Sequence, residues 1–514
     1  MFTTRRDSWG WSRWILLAFL LLGVATLSVV QFSHRSTLSQ PGLLQSPLPN
    51  KMAMDSAIAA ASAKGQFMSL DPTGRFLINS GTRKPVFITG EAAWSLLGQL
   101  SDPNIEAYLS DRASKGFNLI IVDLVENYYS DHPPKDFYGN VPFSGADFTN
   151  ENEVYWSRVD YTLLRAAAYG ITVLADPAFV GYGCTGGYCT SYRNSSTGTL
   201  TAYGQYLGTR YKRFPNIVWL IGGDADPADS NVQSKLAALA NGIKSADTVH
   251  LMTTENYRGT SSVDVWSGTS WLDLNALYSL PKDIPTKANT EFRAAAYPVF
   301  LMEDWYEGEH STVELDVRAE GYWAVLSGCT LGRIFGNYAI WRFDWFPDTT
   351  ASWKNRLAAA RSGGLAWLKT FRSREQWKSQ LGAAGSVGQA NLGKLFRSRQ
   401  HWMLVPDMNH TVMTAGYGSG SMLSVAARTA DKQTVIAYVP NGSAATITVA
   451  MSTITDAGSQ AKCWWFNPRD GSSTLIGSCA ASGTRNFTPP DKEDWVLVID
   501  SLAANLPAPG SKDL

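Results

Sequence analysis

The fold is decided at Asn216-Ile-Val-Trp-Leu-Ile-Gly-Gly-Asp224, an apolar run that ends in an acidic residue. A second run, Tyr297-Pro-Val-Phe-Leu-Met302, ends in the same way at Glu303. Short continuous apolar runs bounded by turn residues are typical of strands that are buried on both faces, as in a parallel sheet. When candidate strands are counted along the chain, these two runs are the fourth and the seventh.

Short apolar runs alternate with helical patterns on both sides of these two runs, which indicates parallel βα units. One helix is predicted over Asn104–Lys115, with Pro103 at its first position, and another over Val154–Tyr169, with Gly170 at its end. The pattern predicts an α/β fold, a (β/α)8 TIM barrel. Its eight candidate strands are Val86–Thr89, Leu119–Leu124, Thr172–Ala175, Ile217–Ile221, Val249–Thr253, Leu272–Leu274, Val299–Met302 and Ile334–Trp341.

The pattern changes from about Ser421 to closely spaced strands separated by turns such as Pro440-Asn-Gly442. This predicts a C-terminal all-β sandwich domain. Ahead of the barrel, prolines followed by Ala- and Ser-rich sequence indicate a linker. The resulting segments are a signal peptide or signal anchor, a linker, the barrel domain, the β sandwich and a tail, over residues 1–35, 36–65, 66–407, 408–502 and 503–514.

The amino terminus predicts export. Arg5, Arg6 and Arg13 precede an apolar run, Trp14–Val30, which suits a signal peptide or a short signal anchor. We expect the chain after about Ser36 to be periplasmic, extracellular or anchored to the membrane facing outward. The membrane is a partner only if this segment stays uncleaved.

Composition limits the partners. Lys+Arg and Asp+Glu balance at 44 each, so no general attraction to nucleic acid is expected. The five cysteines predict two disulfides, Cys184–Cys189 and Cys463–Cys479, and a buried free thiol at Cys329. No histidine lies near either pair in the sequence, so a metal is not expected, and no motif predicts a cofactor.

The two acidic residues predict glycoside hydrolysis. This reaction needs two carboxyls that flank the scissile bond, and a barrel forms its active site at the carboxyl ends of its strands. We predict that Asp224 is the acid/base and Glu303 the nucleophile. The reaction retains configuration if the two carboxyls lie about 5–5.5 Å apart.

Both acidic residues have structural alternatives. Asp224 could cap the following helix, although Asp226 before Pro227 is the better cap candidate. Glu303 could form an ion pair with an arginine at the barrel mouth, and Asp304, Glu307 and Glu309 are nearby alternatives to it.

Other polar and aromatic residues close to the predicted strand ends are candidates for binding substrate. Their side chains can form hydrogen bonds to hydroxyl groups or stack on a sugar ring. They are Glu91, Trp94, Asn127, Tyr128, Glu255, Asn275 and Trp341.

Several of these residues lie in short motifs that occur in order along the chain. The motifs are Phe87-Ile-Thr-Gly-Glu-Ala-Ala-Trp94, Gly116-Phe-Asn-Leu-Ile120, Trp156-Ser-Arg-Val-Asp160, Gly222-Gly-Asp224, Trp271-Leu-Asp-Leu-Asn275 and Gly336-Asn-Tyr-Ala-Ile-Trp341. With them, the barrel resembles the apiosidase-like domain of glycoside hydrolase family 140. The tail motifs Cys463-Trp-Trp-Phe-Asn-Pro-Arg-Asp-Gly471 and Asp494-Trp-Val-Leu-Val498 resemble the collagen-binding-type β domain that follows such barrels.

The resemblance implies a retaining hydrolase that acts on plant pectin side chains and releases apiose-linked sugar. It assigns the acid/base to Asp224 and the nucleophile to Glu303. At Glu91 the chain departs from the family pattern, which more often has Asp there.

Two functions follow from the sequence. The first is a retaining glycoside hydrolase that cleaves side chains of plant cell-wall or related polysaccharides. The alternative is a non-catalytic cell-surface protein that binds a carbohydrate or another polymer, with the barrel as its scaffold.

Overall fold

The computed structural model describes residues 51–63, 65–343, 376–440 and 446–514. The predicted signal segment, with Trp14–Val30, lies outside these residues, as does the proline-containing part of the predicted linker. Within the described residues no helix has the length and hydropathy needed to cross a membrane.

A parallel eight-stranded sheet forms the barrel, in the order β8-β7-β6-β5-β4-β11-β10-β9. This confirms the predicted (β/α)8 fold. A small antiparallel sheet, β1-β2-β3, precedes it. The strands are β1 Ser69–Leu70, β2 Leu77–Ile78, β3 Pro85–Val86, β4 Ile88–Ala92, β5 Leu119–Asp123, β6 Thr172–Asp176, β7 Ile217–Ala225, β8 Met252–Asn256, β9 Asn275–Tyr278, β10 Val299–Glu303 and β11 Gly332–Phe335.

All eight barrel strands have bounds that differ from the predicted ones, by one residue in β5, β6 and β10 and by more in the others. β4, β8 and β9 begin later along the chain than predicted, and β11 ends before Gly336. The difference arises because barrel strands run into polar residues at the mouth. Thr253, Thr254 and Glu255 of β8 are fully buried although they interrupt the apolar run on which the prediction was based.

Helices surround the barrel. The second predicted helix is α4, which begins at Glu153 after Asn152, whose side chain accepts a hydrogen bond from the Val154 amide. The helices are α1 Lys51–Ser62, α2 Leu96–Gln99, α3 Asp102–Ser114, α4 Glu153–Ala168, α5 Cys189–Asn194, α6 Thr197–Tyr211, α7 Ser230–Ala246, α8 Ser262–Trp266, α9 Ile284–Ala294, α10 Glu314–Ser327, α11 Gln376–Gln380 and α12 Ala384–Arg397.

The carboxyl-terminal part of the predicted linker is helical. α1 is rich in alanine, the residue with the highest helix propensity. Its Met54 and Ile58 are buried in the core cluster that also contains Val159 and Leu163 of α4. Apolar contact with the barrel therefore stabilises this helix. The linker prediction did not include it.

Successive side chains of the barrel strands point alternately into the barrel and toward the helices, which gives two separate hydrophobic cores. Leu174, Leu220 and Phe300 face the barrel interior. Val173 and Trp219, each next to one of them in sequence, face the helices. This alternation decides which polar residues reach the mouth.

Two antiparallel sheets form the C-terminal domain, in the orders β12-β14-β15-β20-β17-β18 and β13-β16-β19. Val435 and Trp465 of the first sheet share a core with Ile447 and Phe487 of the second, as expected for a sandwich. The strands are β12 Leu404–Pro406, β13 Met413–Ala415, β14 Val425–Thr429, β15 Thr434–Val439, β16 Ile447–Ala450, β17 Gln460–Phe466, β18 Ser473–Ala480, β19 Thr484–Phe487 and β20 Trp495–Ser501.

The cysteines pair as predicted. Disulfides join Cys184 to Cys189 and Cys463 to Cys479, and Cys329 is a buried free thiol.

Candidate active site

Asp224 lies on a bulge near the carboxyl end of β7. The pairing of β7 with β8 shifts between Ile221 and Ala225, so that three residues of β7 lie opposite one residue of β8. All three, Gly222, Gly223 and Asp224, have positive φ, and the φ of Asp224 is 55°. A non-glycine residue in the left-handed region costs energy and is often held there by a functional site. The bulge leaves the Asp224 side chain partly exposed.

Asp224 does not cap a helix. The N-cap of α7 is Asp229, whose side chain accepts from the Val232 amide at 3.0 Å, so neither Asp224 nor Asp226 has this role. Asp226 instead accepts from the Ala228 amide in the preceding turn.

Glu303 ends β10, the seventh barrel strand, next to a register shift between Leu301 and Glu303. By simple alternation Glu303 would face the helices with Leu301, whereas the irregularity allows it to reach the mouth. Its side chain interacts there with Glu255, Tyr278 and Tyr306, and it is partly exposed.

Asp304, the residue after Glu303, forms the ion pair that the sequence suggested for Glu303. Asp304 is buried and bonded to Arg333 at 2.5 Å, and Glu320 lies 3.2 Å from the same guanidinium.

Burial and mutual charge perturb the two carboxyls. Burial raises the pKa of Asp224 to about 6, against the positive charge of Arg258. Burial raises the pKa of Glu303 to about 8, with a further contribution from the charge of Asp224, while hydrogen bonds with Glu255, Tyr306 and Tyr278 act in the opposite direction. Because the two carboxyls interact, they lose their protons in successive steps as a pair. Burial, followed by the charge of Glu303, raises the pKa of Glu255 well above its ordinary value.

Two further carboxyls lie below the mouth. Asp123 and Asp176 are opposite each other on β5 and β6, and Asp123 shares its face of β5 with the interior residues Leu119 and Ile121. Both are fully buried, and among the described residues neither oxygen of Asp123 has a hydrogen-bond partner. Burial raises the pKa of both, to about 8 for Asp176.

Aromatic side chains form a wall beside the carboxyls. Trp94 donates from Nε1 to the Tyr306 hydroxyl at 3.0 Å, which orients the ring of Tyr306 next to Glu303. Trp341 packs edge-on against Tyr129 with a centroid distance of 4.9 Å, and its Nε1 donates to Glu309. The negative charges of Asp224 and Asp123 contribute, after burial, to the raised pKa of Tyr129, which places its hydroxyl near both.

Glu91 does not reach the mouth, contrary to the prediction. It lies within β4 and faces outward, where it accepts from Arg112 at 2.8 Å and from the Tyr108 hydroxyl at 2.6 Å, both on α3. The predicted strand ended at Thr89, whereas β4 continues to Ala92, so the prediction placed Glu91 beyond the strand. Glu91 is thus part of a buried ion pair between sheet and helix.

Asn275 does not reach the mouth either. It is the first residue of β9 and therefore lies at the opposite end of the barrel. Its amide donates to Glu291 at 2.9 Å on α9. The predicted strand, 272–274, ended where β9 begins. Asn275 was therefore expected at the carboxyl end of a strand, whereas it lies at the amino end of β9.

The remaining predicted residues are close to the mouth. Trp94 and Trp341 belong to the aromatic wall, and Glu255 contacts Glu303. Asn127 and Tyr128 lie in the loop after β5, where Asn127 is partly exposed and the Tyr128 side chain is 46% exposed.

Within the described ranges, one group of potential metal ligands is close enough to hold an ion, Cys184, Cys189 and Asp229. Its two sulfurs are bonded to each other, so neither is a free thiolate.

Sequence models of protein families match almost the whole described chain. The model described as "Apiosidase-like, catalytic domain" matches residues 71–403. The chain belongs to this family. The model described as "Putative collagen-binding domain of a collagenase" matches residues 405–500. Membership of the apiosidase-like family makes the chain a glycosidase and decides against the non-catalytic alternative.

Solved structures support the fold of this apiosidase-like chain. A glycoside hydrolase family 5 protein from Bacteroides vulgatus is 24% identical with a TM-score of 0.70, and the match covers 87% of this chain and 95% of that one. A structure named "Glycoside hydrolase" is 24% identical with a TM-score of 0.69, covering 86% and 98%. Another glycoside hydrolase of Bacteroides vulgatus is 12% identical with a TM-score of 0.62, covering 85% and 83%. No curated protein matches the chain significantly.

The sequence did not single out Tyr129, Tyr278 and Tyr306 in this apiosidase-like site, nor Asp123. Alternation from Leu119 and Ile121 could have placed Asp123 inside the barrel. Tyr306 gives no such signal, because its position depends on how the loop after β10 folds back against Gly336, whose added Cβ would lie 2.0 Å from the Tyr306 ring.

Proposed function

We propose that this protein is a retaining glycosidase in which Glu303 is the nucleophile and Asp224 the acid/base. The observation that carries the proposal is that these two residues are partly exposed at the mouth. Among the interacting carboxyls of the mouth, Asp123, Asp176 and Glu255 are fully buried, whereas Asp224 and Glu303 are partly exposed and are presented by irregularities in their strands.

The contacts of the two carboxyls support Glu303 as the nucleophile. Glu303 interacts with the hydroxyls of Tyr306 and Tyr278 and with Glu255, and these hydrogen bonds favour its charged form. Oδ1 of Asp224 is buried and has no partner among the described residues. The pKa values of about 6 for Asp224 and about 8 for Glu303 leave the last proton of the free pair on Glu303, so the proposed roles require that this proton lies on Asp224 once substrate is bound.

The reaction then proceeds in two displacements. A Glu303 oxygen attacks the anomeric carbon while the bond from that carbon to the leaving oxygen breaks, and Asp224 gives its proton to that oxygen. Water then attacks the same carbon, Asp224 takes a proton from the water, and the bond to Glu303 breaks. The product has the original configuration, and both carboxyls return to their starting states.

The proposed substrate is a side chain of plant cell-wall polysaccharide, with pectin side chains that carry apiose as the first candidate. The family match over residues 71–403 supports this choice. The aromatic wall fits a neutral sugar ring, because Tyr129 and Trp341 are partly exposed and offer apolar faces next to polar edges.

Turnover of apiose-containing pectin oligosaccharides by residues 51–514 tests the proposal, with Asp224→Asn and Glu303→Gln in parallel. Wild-type protein should release sugar whose first-formed anomer, seen by NMR, has the configuration of the substrate. A 2-fluoro glycosyl fluoride of the released sugar should label Glu303 in a mass spectrum. Inverted product, or unchanged turnover in either variant, would refute the assignment.

We also propose that the protein acts outside the cytoplasm. Two disulfides are consistent with an oxidising compartment, as is the apolar segment Trp14–Val30 after three arginines. A fusion of residues 1–60 to alkaline phosphatase, which is active only after export, should give phosphatase activity, and an inactive fusion would contradict the proposal.

A further inference from the structure

Two tyrosines form a stacked pair on the rim of the barrel. The rings of Tyr182 and Tyr257 have centroids 4.9 Å apart and an interplanar angle of 21°. The Tyr257 hydroxyl donates to the Tyr182 hydroxyl at 2.6 Å. Tyr182 follows β6 and is 43% exposed, and Tyr257 directly follows β8 and is partly exposed. We call them the rim pair.

Backbone hydrogen bonds tie the rim pair to both sides of Asp224. The amide of Gly181, directly before Tyr182, donates to the Gly223 carbonyl at 3.0 Å. The amide of Tyr257 donates to the Ala225 carbonyl at 2.9 Å. Asp224 therefore lies between the two residues that hold the pair. Arg258, next to Tyr257, is close enough for its charge to affect the pKa of Asp224.

The loop that carries Tyr182 is held in place. The Cys184–Cys189 disulfide closes it, and the amide of Cys189 donates to the Val180 carbonyl at 3.0 Å. On its other side, the ring of Tyr128 lies against Gly186, where an added Cβ would be 3.1 Å from the ring. Little conformational entropy is therefore lost when a ligand binds to the rim pair.

The chemistry of the rim pair suits a sugar. Two partly exposed tyrosine rings offer apolar faces for the C–H groups of a pyranose or furanose, and their hydroxyls and Arg258 offer hydrogen bonds to its oxygens. The position of the pair specifies which sugar. The acid/base of a retaining glycosidase contacts the oxygen of the leaving group, so residues that flank it face the leaving-group side of the scissile bond.

We propose that Tyr182 and Tyr257 bind the sugar residue that leaves in the first displacement. This inference rests on the proposed function, because it requires Asp224 to be the acid/base.

Kinetics on two substrates test the inference. One is a pectin oligosaccharide that the wild-type enzyme cleaves, and the other is the glycosyl fluoride of the sugar it releases, which has no leaving sugar. Tyr182→Ala and Tyr257→Ala should lower kcat/KM about tenfold on the oligosaccharide, and this loss should be absent on the fluoride. Tyr257→Phe keeps the ring and should recover most of the oligosaccharide activity.

Tyr417→Ala is the matched control, because Tyr417 is also a partly exposed tyrosine whose ring packs against a neighbouring ring, that of His410, but it belongs to the C-terminal domain. It should leave both reactions unchanged. Thermal melting of each variant excludes unfolding as the cause of a loss.

The possible outcomes separate the two proposals. Equal losses on both substrates would mean that the rim pair only positions Asp224, and unchanged kinetics would mean that it has no contact with substrate. Either result overturns this inference while the proposed function stands. If the wild-type enzyme cleaves neither substrate, the proposed function fails and the inference fails with it.

Discussion

The role of each carboxyl in this barrel depends on the groups around it more than on its position in the sequence. Glu91 and Asp304 each have a buried arginine as partner and contribute to packing. Asp224 and Glu303 interact instead with each other, Glu303 also contacts tyrosine hydroxyls, and both change between charged and neutral forms at accessible pH. A carboxyl that is not bonded to a buried arginine is the one that can take part in proton transfer.

The pH dependence of activity follows from this pair. The productive state has one proton on the pair, so kcat/KM should rise as pH rises through about 6, where the first proton is lost, and fall as pH rises through about 8, where the second is lost. The measurement is kcat/KM from pH 4 to 10. On the glycosyl fluoride, whose leaving group needs no acid, the alkaline fall should be much weaker, and an equal fall on both substrates would contradict the assignment of the acid.

Tyr306 should position and stabilise the nucleophile. Tyr306→Phe removes a hydrogen bond to Glu303 and the acceptor of the Trp94 indole, so the pKa of Glu303 should rise. We expect kcat to fall about tenfold or more, as for loss of a hydrogen bond to a charged group, and the limb of the pH profile that reports Glu303 to move upward. Tyr203→Phe is the control, since its hydroxyl donates to the Pro177 carbonyl on the helical side of the barrel. A lower kcat with an unmoved limb would indicate a packing effect only.

At the scale of elements, strand irregularities bring both acids to the mouth. In β7 the bulge depends on three successive residues with positive φ, and Gly223 also leaves room for Phe179 and Asp176. Such an element stores strain that the surrounding barrel must hold.

Gly223→Ala tests the bulge. An added Cβ would lie 2.3 Å from the Phe179 ring and 2.8 Å from Asp176 Oδ2, at a φ of 72°. We expect activity to fall at least 100-fold, because Asp224 is displaced, and stability to fall by about 1–3 kcal/mol. Gly170→Ala is the matched control, with a φ of 73° and no atom within 4 Å of the added Cβ. This variant should lose a comparable amount of stability, because its backbone has nearly the same strained φ, and it should keep its activity. Equal activities in the two variants would argue against the role of the bulge.

The order of the elements could be predicted from the sequence, whereas their faces could not. Continuous apolar runs such as Ile217–Ile221 identify strands wherever they pair, so the count of strands and the strand-end positions of Asp224 and Glu303 follow from the chain alone. The face on which a side chain lies is harder to predict, because an error of one residue in the strand position moves the side chain to the other face. Glu91 faces outward because β4 continues past its predicted end, and Asn275 lies at the opposite end of the barrel because β9 begins where the predicted strand ended. The contacts of Tyr306 depend on loop geometry that has no sequence period.

At the scale of the molecule, the C-terminal domain is packed on the barrel through α10. Asp494 of the β domain is fully buried and receives two hydrogen bonds from Arg318, at 2.8 and 3.0 Å, and one from Tyr438 at 3.2 Å. Tyr438 stacks on Tyr322 of α10 with centroids 4.7 Å apart. A buried, fully bonded ion pair of this kind favours a stabilising role for the domain over that of an independent binding module.

Asp494→Ala should therefore destabilise the whole protein. It leaves the buried Arg318 guanidinium without its carboxylate, which costs about 3–5 kcal/mol. Asp513→Ala is the matched control, because its ion pair with Arg397 is exposed on the Asp513 side, at 61% of the side chain, and is worth at most about 1 kcal/mol. The measurement is urea unfolding followed by tryptophan fluorescence and by activity. If the domains depend on each other, Asp494→Ala lowers both midpoints together. A lower fluorescence midpoint with an unchanged activity midpoint would show instead that the barrel is stable without the β domain.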